Sequence, residues 1–563
     1  MAKTYERVVE ELVAGGVTHA FTLPGLGITW SLPGFKDNQD KIKTVLTRSE
    51  WIASIMAQVA GRLTRRPAVA MGQGPWMTTI GGIGILEAHF SGSPMLVLTE
   101  TSDYDGYGQM GVYQTMTGDY GGADVMASLK PITKYCTYAT APGEAIYGVQ
   151  MAIKHASLPR MGPAAVAMKS TIIREEVPEP SRPVIYPADG YYTHTPARPD
   201  ETAIAELANK LASAERPVII AGNGVVMSDC GEALQELALS CGCAVVTSYN
   251  GKGVVAETSA IAAGMLGTWG HACANRVLAR ADVVLVLGAS LGPDYLRFRD
   301  PALIRPGEQF IAQIDVDPRN AGWVYPVDMA ITGDVRDALS GLAGHDLGAK
   351  KRDQRIAAIA ELKEQTGFDR LPQTKAAQGS VHHRDLIAGL QSFIGETDLI
   401  ALDAGANRIW ATHGLRNPRA QQFVVAGGTG AMGWGPPAAA AAKLVMPDRR
   451  VTCLAGDGGF MMTQQVITTA VQQNLDVVYL VDNNAGLGMV RDNLGANKIA
   501  VDFADCDFAK IAEGMGGHGI TVTHPGEVRD ALEEAHKLGG PVVIDAKVDP
   551  EASYIEVSDN EPL

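Results

Sequence analysis

The sequence predicts an α/β chain built of three doubly wound parallel-sheet domains. Two observations point there. Short apolar strands alternate with helical segments along most of the chain, the pattern of sheets covered on both faces. Several of these strands run straight into turns rich in Gly, Asp or Asn. The length of 563 residues leaves room for three or four domains of about 150 residues each. With 46% hydrophobic residues the chain is not disordered, and with 19% charged residues part of its surface is expected to be covered by other subunits. The 47 Lys+Arg against 62 Asp+Glu give a net charge of −15 with no basic stripe, which argues against a nucleic-acid partner.

The first domain is placed at 1–175, with PAVAMGQGPW and PMLVLTETSD as strand-to-loop junctions. A Pro-rich segment, 177–200, reads as a linker. The middle domain, 195–345, opens on the helical pattern ETAIAELANKLASAE and then gives the strands RPVIIAGN, CAVVTS, ADVVLVLGAS and QFIAQIDVD. A charged stretch, 350–365, is expected to be a connecting helix. The third domain, 380–563, repeats the grammar with DLIALDAG, QQFVVAGGTG, RRVTCLAGDGG, LDVVYLVDNN and GPVVIDAKV. Ligands of open parallel sheets bind beyond the carboxyl ends of the strands, so the chemistry is sought at these turns.

The first residues carry charge throughout and do not read as a secretory signal. The uncharged stretches 68–86 and 421–442 are interrupted by Gly and Pro, so no membrane span is expected. Seven scattered cysteines suit a reducing, cytoplasmic setting, and Cys241-Gly242-Cys243 lacks the second pair or nearby histidine of a zinc site.

One motif carries most of the chemistry. Gly456-Asp457-Gly458 follows an apolar strand and is separated by 24 residues from Asn483-Asn484, which follows another. The spacer fits a helix (461–473) and a strand (475–481), which would bring the two turns to one sheet edge. Glycines let a backbone approach phosphate oxygens closely. Asp457 offers an anionic oxygen and Asn484 a neutral amide oxygen, the hard ligands that Mg²⁺ or Ca²⁺ takes alongside phosphate. Either turn alone is a common Asp-Gly or Asn-Asn turn; the pair at this spacing points to a metal-bridged diphosphate.

This motif resembles the signature of thiamine-diphosphate enzymes, and the whole chain resembles their acetolactate synthase-like group. The resemblance implies a pyrimidine-binding first domain, a middle domain and a diphosphate-binding third domain. It implies Mg²⁺ held by Asp457, Asn484 and the Gly486 carbonyl, and a diphosphate held by backbone groups of Gly458, Gly459, Gly405, Ala406 and Asn407. Met432 would be the apolar wedge that bends the cofactor, and the Gly430 carbonyl would receive its 4′-amino group. Pro75 would lie against the pyrimidine ring, in a loop where Trp76 and Thr79 depart from the family pattern. Leu487, Gly488 and Met489 would line the cofactor cavity, and Gln114, after Tyr113, would face the substrate-derived group.

Glu50 stands where KIKTVL gives way to the helix WIASIMAQVAGRL. By itself Ser49-Glu50 is also a good helix start. The resemblance makes Glu50 the acid that hydrogen-bonds N1′ of the aminopyrimidine, so that the cofactor's own amino nitrogen can take up the proton of its reactive carbon.

Simple decarboxylases of the superfamily place adjacent histidines in the first domain as a proton source. Here that domain holds His19, His89 and His155, none adjacent, and the pair His382-His383 is expected on a solvated face ahead of the third block. This favours carboligation on 2-oxo acids or related ketones over a decarboxylase or lyase outcome. Asn493 replaces the family's acceptor-selecting Trp, which opens the acceptor question. FAD, bound by some relatives, is possible but not favoured: GNG (222–224) and GTWGHACAN (267–275) keep only part of that layout. A non-catalytic regulatory subunit is disfavoured, because Glu50 and Asp457 are both present. The resemblance further implies sites shared between subunits, hence a homodimer at least and a homotetramer as the expected assembly.

Overall fold

The computed structural model describes residues 2–103, 114–115, 122–370 and 379–558. Three six-stranded sheets, parallel throughout, are formed. The strands are short, and the central ones are buried along almost their whole length, as the apolar runs foretold: Pro217–Ala221 and Val283–Leu287 are buried at every position, while edge strands such as Lys43–Leu46 and Met329–Thr332 are partly exposed.

The chain divides into two compact units. One comprises Met1–Thr195 with Gly427–Pro447 and Thr463–Leu475. Its sheet holds His19–Thr22, Lys43–Leu46, Ala68–Met71, Met95–Thr101, Tyr135–Ala139 and Pro163–Lys169, arranged 2-1-3-4-6-5 by order in the chain. Val8, Leu12, Val69, Leu96, Ile146 and Val166 belong to its core. The long helix Glu50–Thr64 is buried over most of its turns, and its small residues permit close approach to neighbours: a Cβ on Gly61 would stand 1.9 Å from the Pro94 carbonyl oxygen.

The other unit comprises Pro196–Ala426, Asp448–Met462 and Asp476–Leu563 and carries two sheets. The middle sheet is ordered 3-2-1-4-5-6, and its strands bury alternate residues on opposite faces. Ile219, Val245, Leu285 and Ile314 enter one core, while Val218, Val246, Val284 and Ile311 enter another. The charged stretch does form a helix, Arg352–Gln365, but it is more than a connector. Ile359 and Leu362 join the second of these cores, and buried Arg355 donates to the carbonyls of Leu211, Ala214, Cys241 and Leu347.

The third sheet holds Asp398–Leu402, Phe423–Val425, Arg450–Gly456, Val477–Asn483, His518–Val522 and Val542–Lys547, ordered 2-1-3-4-6-5 like the first. In this order the winding reverses between the first and third strands, and the crevice beyond their carboxyl ends is where ligands of such sheets bind. The spacer of the Gly-Asp-Gly motif departs from expectation. Instead of one helix over 461–473 there are two, Asp457–Thr463 and Val466–Gln472, and the strand runs Val477–Asn483. The first helix begins at the motif's own aspartate, which uses up the length allotted to a loop.

Candidate active site

The switch point of the third sheet is flanked by the turns after Asp398–Leu402 and Arg450–Gly456, which contain Gly405-Ala406-Asn407 and Asp457-Gly458-Gly459. Gly405 holds φ +121°, a conformation closed to most side chains, and N-caps the helix Ala406–Gly414, whose first turn offers free N–H groups. The Asn407 side chain turns back to the carbonyls of Asp403 and Leu454, leaving backbone as what this turn presents to a ligand.

Asp457 is buried. Its carboxylate accepts from its neighbour Gly458 N–H at 2.7 Å and from Gly486 N–H at 3.2 Å, so the two motif turns are joined across the sheet edge. Burial is the main cause that raises its carboxyl to about 7, with the nearby Asp482 carboxylate adding to it. Such a group is stabilised as an anion by a cation. In the neighbouring turn the Asn484 side-chain amide oxygen, Oδ1, is buried with no hydrogen-bond partner among the described residues. A raised carboxyl and an orphaned amide oxygen suit a hard divalent cation that takes its remaining oxygens from a diphosphate. Among the described residues no cluster of three or more His, Cys, Asp or Glu could hold a metal unaided. The residues present therefore fit a magnesium diphosphate.

Leu487 ends the turn that Gly486 enters, and Gly488 begins the helix Gly488–Leu494 with nearly no room for a side chain: a Cβ there would lie 2.7 Å from the Asn484 amide nitrogen. Met489 is half-buried and packs against the core of the third sheet, so it has a structural role beside any it has toward a ligand. Asn493 is held by the Tyr554 hydroxyl at 2.7 Å, which ties the position of the family's Trp to the C-terminal segment.

In the first unit Ser49 caps the helix, accepting from Ile52 N–H at 3.2 Å, and Glu50 is its first residue. Glu50 is 6% exposed, and burial raises its carboxyl above the ordinary range. Gly72, at the end of Ala68–Met71, comes close: a Cβ on it would sit 3.2 Å from Glu50 Cγ. Pro75 lies just beyond, buried in the short helix Gly74–Thr78, with its carbonyl accepting from the hydroxyls of Thr78 and Thr79. Gln114 forms a two-residue strand with Thr115 beside Ala123–Asp124; its side chain, and all of Tyr113, lie outside the described residues.

Gly430 and Met432 belong to the same unit as Glu50, in a segment held to the first sheet's helices. Gly430 and Gly433 have φ +64° and +74°. The buried carboxyl of Glu87 accepts from the N–H groups of Gly428 (3.1 Å) and Thr429 (2.6 Å) and from the Thr429 hydroxyl (2.8 Å), while Trp434 Nε1 donates to Gln58 Oε1 at 3.0 Å. Nothing in the local sequence marks Glu87 or Gln58, since each looks like an ordinary helical residue until the distant segment is brought to it.

One expectation is corrected. His382 and His383 do not form a solvated face; they are 4% and 1% exposed. His382 caps the helix His383–Phe393, and the His383 ring stacks on Trp410 and reaches Asp482 at 3.0 Å. They are buried because partners from elsewhere in the chain accept them. The glycines proposed for a flavin turn face inward: Gly224 N–H donates to the Gly288 carbonyl at 2.9 Å, and a Cβ on Gly222 would stand 2.3 Å from that same oxygen. Cys241 and Cys243 are buried thiols with sulfurs 3.1 Å apart.

Three family descriptions match in succession: "Thiamine pyrophosphate enzyme, N-terminal TPP binding domain" over residues 2–121, the central domain over 204–342 and the C-terminal TPP binding domain over 403–546. The chain is 28% identical to a probable acetolactate synthase large subunit of Methanocaldococcus jannaschii, over 97% of this chain and 92% of that one. It is 26% identical to an acetolactate synthase of Bacillus subtilis, over 99% and 95%. It is also 26% identical to a pyruvate oxidase of Lactiplantibacillus plantarum, over 96% and 88%.

Proposed function

We propose that this chain, which belongs to the thiamine pyrophosphate enzymes, is an acetolactate synthase-like carboligase that cleaves a 2-oxo acid or related ketone and joins the fragment to a second carbonyl compound. When bound, thiamine diphosphate supplies an electron sink at the carbon that adds to the donor carbonyl.

Around it the protein's residues take distinct roles in this reading. Asp457, Asn484 and the Gly486 carbonyl would hold Mg²⁺, and backbone N–H groups of Gly405, Ala406, Asn407, Gly458 and Gly459 would take phosphate oxygens. The observation that supports it most is the buried Asn484 Oδ1 without a partner among the described residues, in the turn neighbouring a carboxyl raised to about 7. Glu50 would exchange a proton with the aminopyrimidine. Its burial, which lifts its pKa toward the working range, suits that role. Met432 would brace the cofactor and the Gly430 carbonyl would accept its amino group; Pro75, Leu487, Gly488 and Met489 would line the cavity, with Gln114 toward the substrate. The absence of adjacent histidines among His19, His89 and His155 supports carboligation over release of an aldehyde. We further propose a homodimer at least, and a homotetramer as the working form, so that Glu50 serves a partner's cofactor. Half-exposed Trp76 and Phe90 support such association. No helix among the described residues is long and apolar enough to cross a membrane, and seven free cysteines support a cytoplasmic location.

The test is incubation of protein loaded with thiamine diphosphate and Mg²⁺ with a panel of 2-oxo acids, beginning with pyruvate alone, followed by mass spectrometry of products. A C–C coupled product is expected. Free aldehyde as the sole product would overturn the carboligase reading, and a yellow protein with a flavin spectrum would overturn its flavin-free form.

A further inference from the structure

We propose that Glu87 and Gln58 are positioning residues that hold the segment 428–434, and with it Gly430 and Met432, in its cofactor-receiving shape before the cofactor arrives. The proposal rests on the assignment of Gly430 and Met432 to the cofactor made above.

The segment needs such help. It contains Gly428, Gly430 and Gly433 and follows Gly427, and glycine gives up more conformational freedom on ordering than any other residue. Glu87 holds its entry through three hydrogen bonds from Gly428 and Thr429. Gln58 holds its exit through the Trp434 indole and is itself fixed by the Ser93 hydroxyl at 2.9 Å. Between them the Thr463 hydroxyl donates to the Gly433 carbonyl at 2.8 Å. The fit at the entry is tight: a Cβ on Gly428 would lie 2.8 Å from Phe90 Cβ and 3.0 Å from both Glu87 carboxyl oxygens, so Phe90 and Glu87 together leave no room there for a side chain. Glu87 is 0% exposed, and burial raises its carboxyl above the ordinary range, opposed by the hydrogen bonds from Thr429 and Gly428 and by the charge of buried Arg62. A buried carboxyl whose hydrogen bonds all go to one loop is spent on shape. Ordering the loop in advance lowers the entropy lost when the cofactor binds.

Amide hydrogen exchange on the cofactor-free protein, together with titration of thiamine diphosphate at fixed Mg²⁺, tests this. In Glu87→Leu the amides of Gly428 and Thr429 are expected to lose protection, and the cofactor Kd to rise about tenfold or more, because buried donors lose their acceptor. Glu87→Gln keeps an acceptor oxygen and is expected to restore much of both. Glu87→Leu also removes a charge that acts on buried Arg62, so Thr429→Val, which keeps that charge, decides the matter if Glu87→Leu does not fold; it is expected to show the same two changes more weakly. Unchanged exchange and unchanged Kd in the folded variants would overturn the proposal. Met432→Ala separates the two levels. If it binds cofactor and turns over like the parent, the assignment of this segment to the cofactor is wrong. If it is impaired while Glu87→Leu and Thr429→Val are not, the positioning role alone is wrong.

Discussion

Gly456 pairs with Asp482 across the parallel ladder of the third sheet, so Asp457, just past the first strand, and Asn483-Asn484, at the end of the second, come to one edge of the sheet. The spacing in the sequence is what one helical crossover and a strand in this register require. It brings an acid and an amide together from turns far apart in the chain, and the N–H of Gly486 reaching Asp457 closes the arrangement.

Asp457→Ala removes the anionic ligand of the proposed pair. The variant is expected to fold and to lose metal-dependent retention of thiamine diphosphate, and treatment of the parent with a chelator is expected to release the cofactor likewise. Cofactor content after gel filtration measures both. Full retention in the variant would remove Asp457 from the ligand set.

Glu50→Gln replaces a proton-exchanging carboxyl by an amide of the same shape. Cofactor binding is expected to persist while kcat falls by about 10²–10⁴, the range a positioned acid–base group contributes. Steady-state kinetics with pyruvate, beside a cofactor titration, reads the two effects separately. Activity near that of the parent would discard the role given to Glu50.

His413 lies wholly buried, and burial, helped by the Arg416 guanidinium, pushes its imidazole down to about 3; neighbouring His271 is driven well below its usual range for the same reasons. Between about pH 3 and the unfolded value of 6.5 the folded chain binds fewer protons than the unfolded one, so stability rises with pH across that window and is lost on acidification. One such group is worth about 1.4 kcal/mol per pH unit inside it. Urea unfolding at pH 6.5 and pH 5 is expected to show a smaller loss for His413→Asn than for the parent. Equal losses would mean that the imidazole is already charged in the folded protein.

Gly61→Ala puts a methyl group 1.9 Å from the Pro94 carbonyl oxygen, where backbone must move to admit it. A loss of about 1–3 kcal/mol is expected, as for other overpacked interiors. Gly82→Ala, with nothing within 4 Å of the new carbon, is the control and is expected to be neutral or mildly stabilising. Thermal melts of the two variants against the parent compare them directly.

The sheets were legible because buried parallel strands are written as unbroken apolar runs, as in RPVIIAGN and ADVVLVLGAS. The turn residues of the candidate site were legible because Gly, Asp and Asn follow those runs directly. What stayed hidden depends on partners far away in the chain. Glu87 becomes an anchor only when Thr429 arrives beside it, and His383 becomes buried only when Asp482 and Trp410 enclose it. A local pattern holds no trace of such partners. The break between Asp457–Thr463 and Val466–Gln472 escaped notice because no Gly or Pro marks it.

The first and third sheets thread their strands in one and the same sequence, 2-1-3-4-6-5. Because the strands of each sheet run parallel, all their carboxyl ends, where the proposed site residues follow, share one rim, and all their starts share the opposite one. For anyone re-engineering this catalyst, that border is the place to install hardening mutations, tags or attachment points, since within each sheet it lies at the far end of the strands from the proposed site residues.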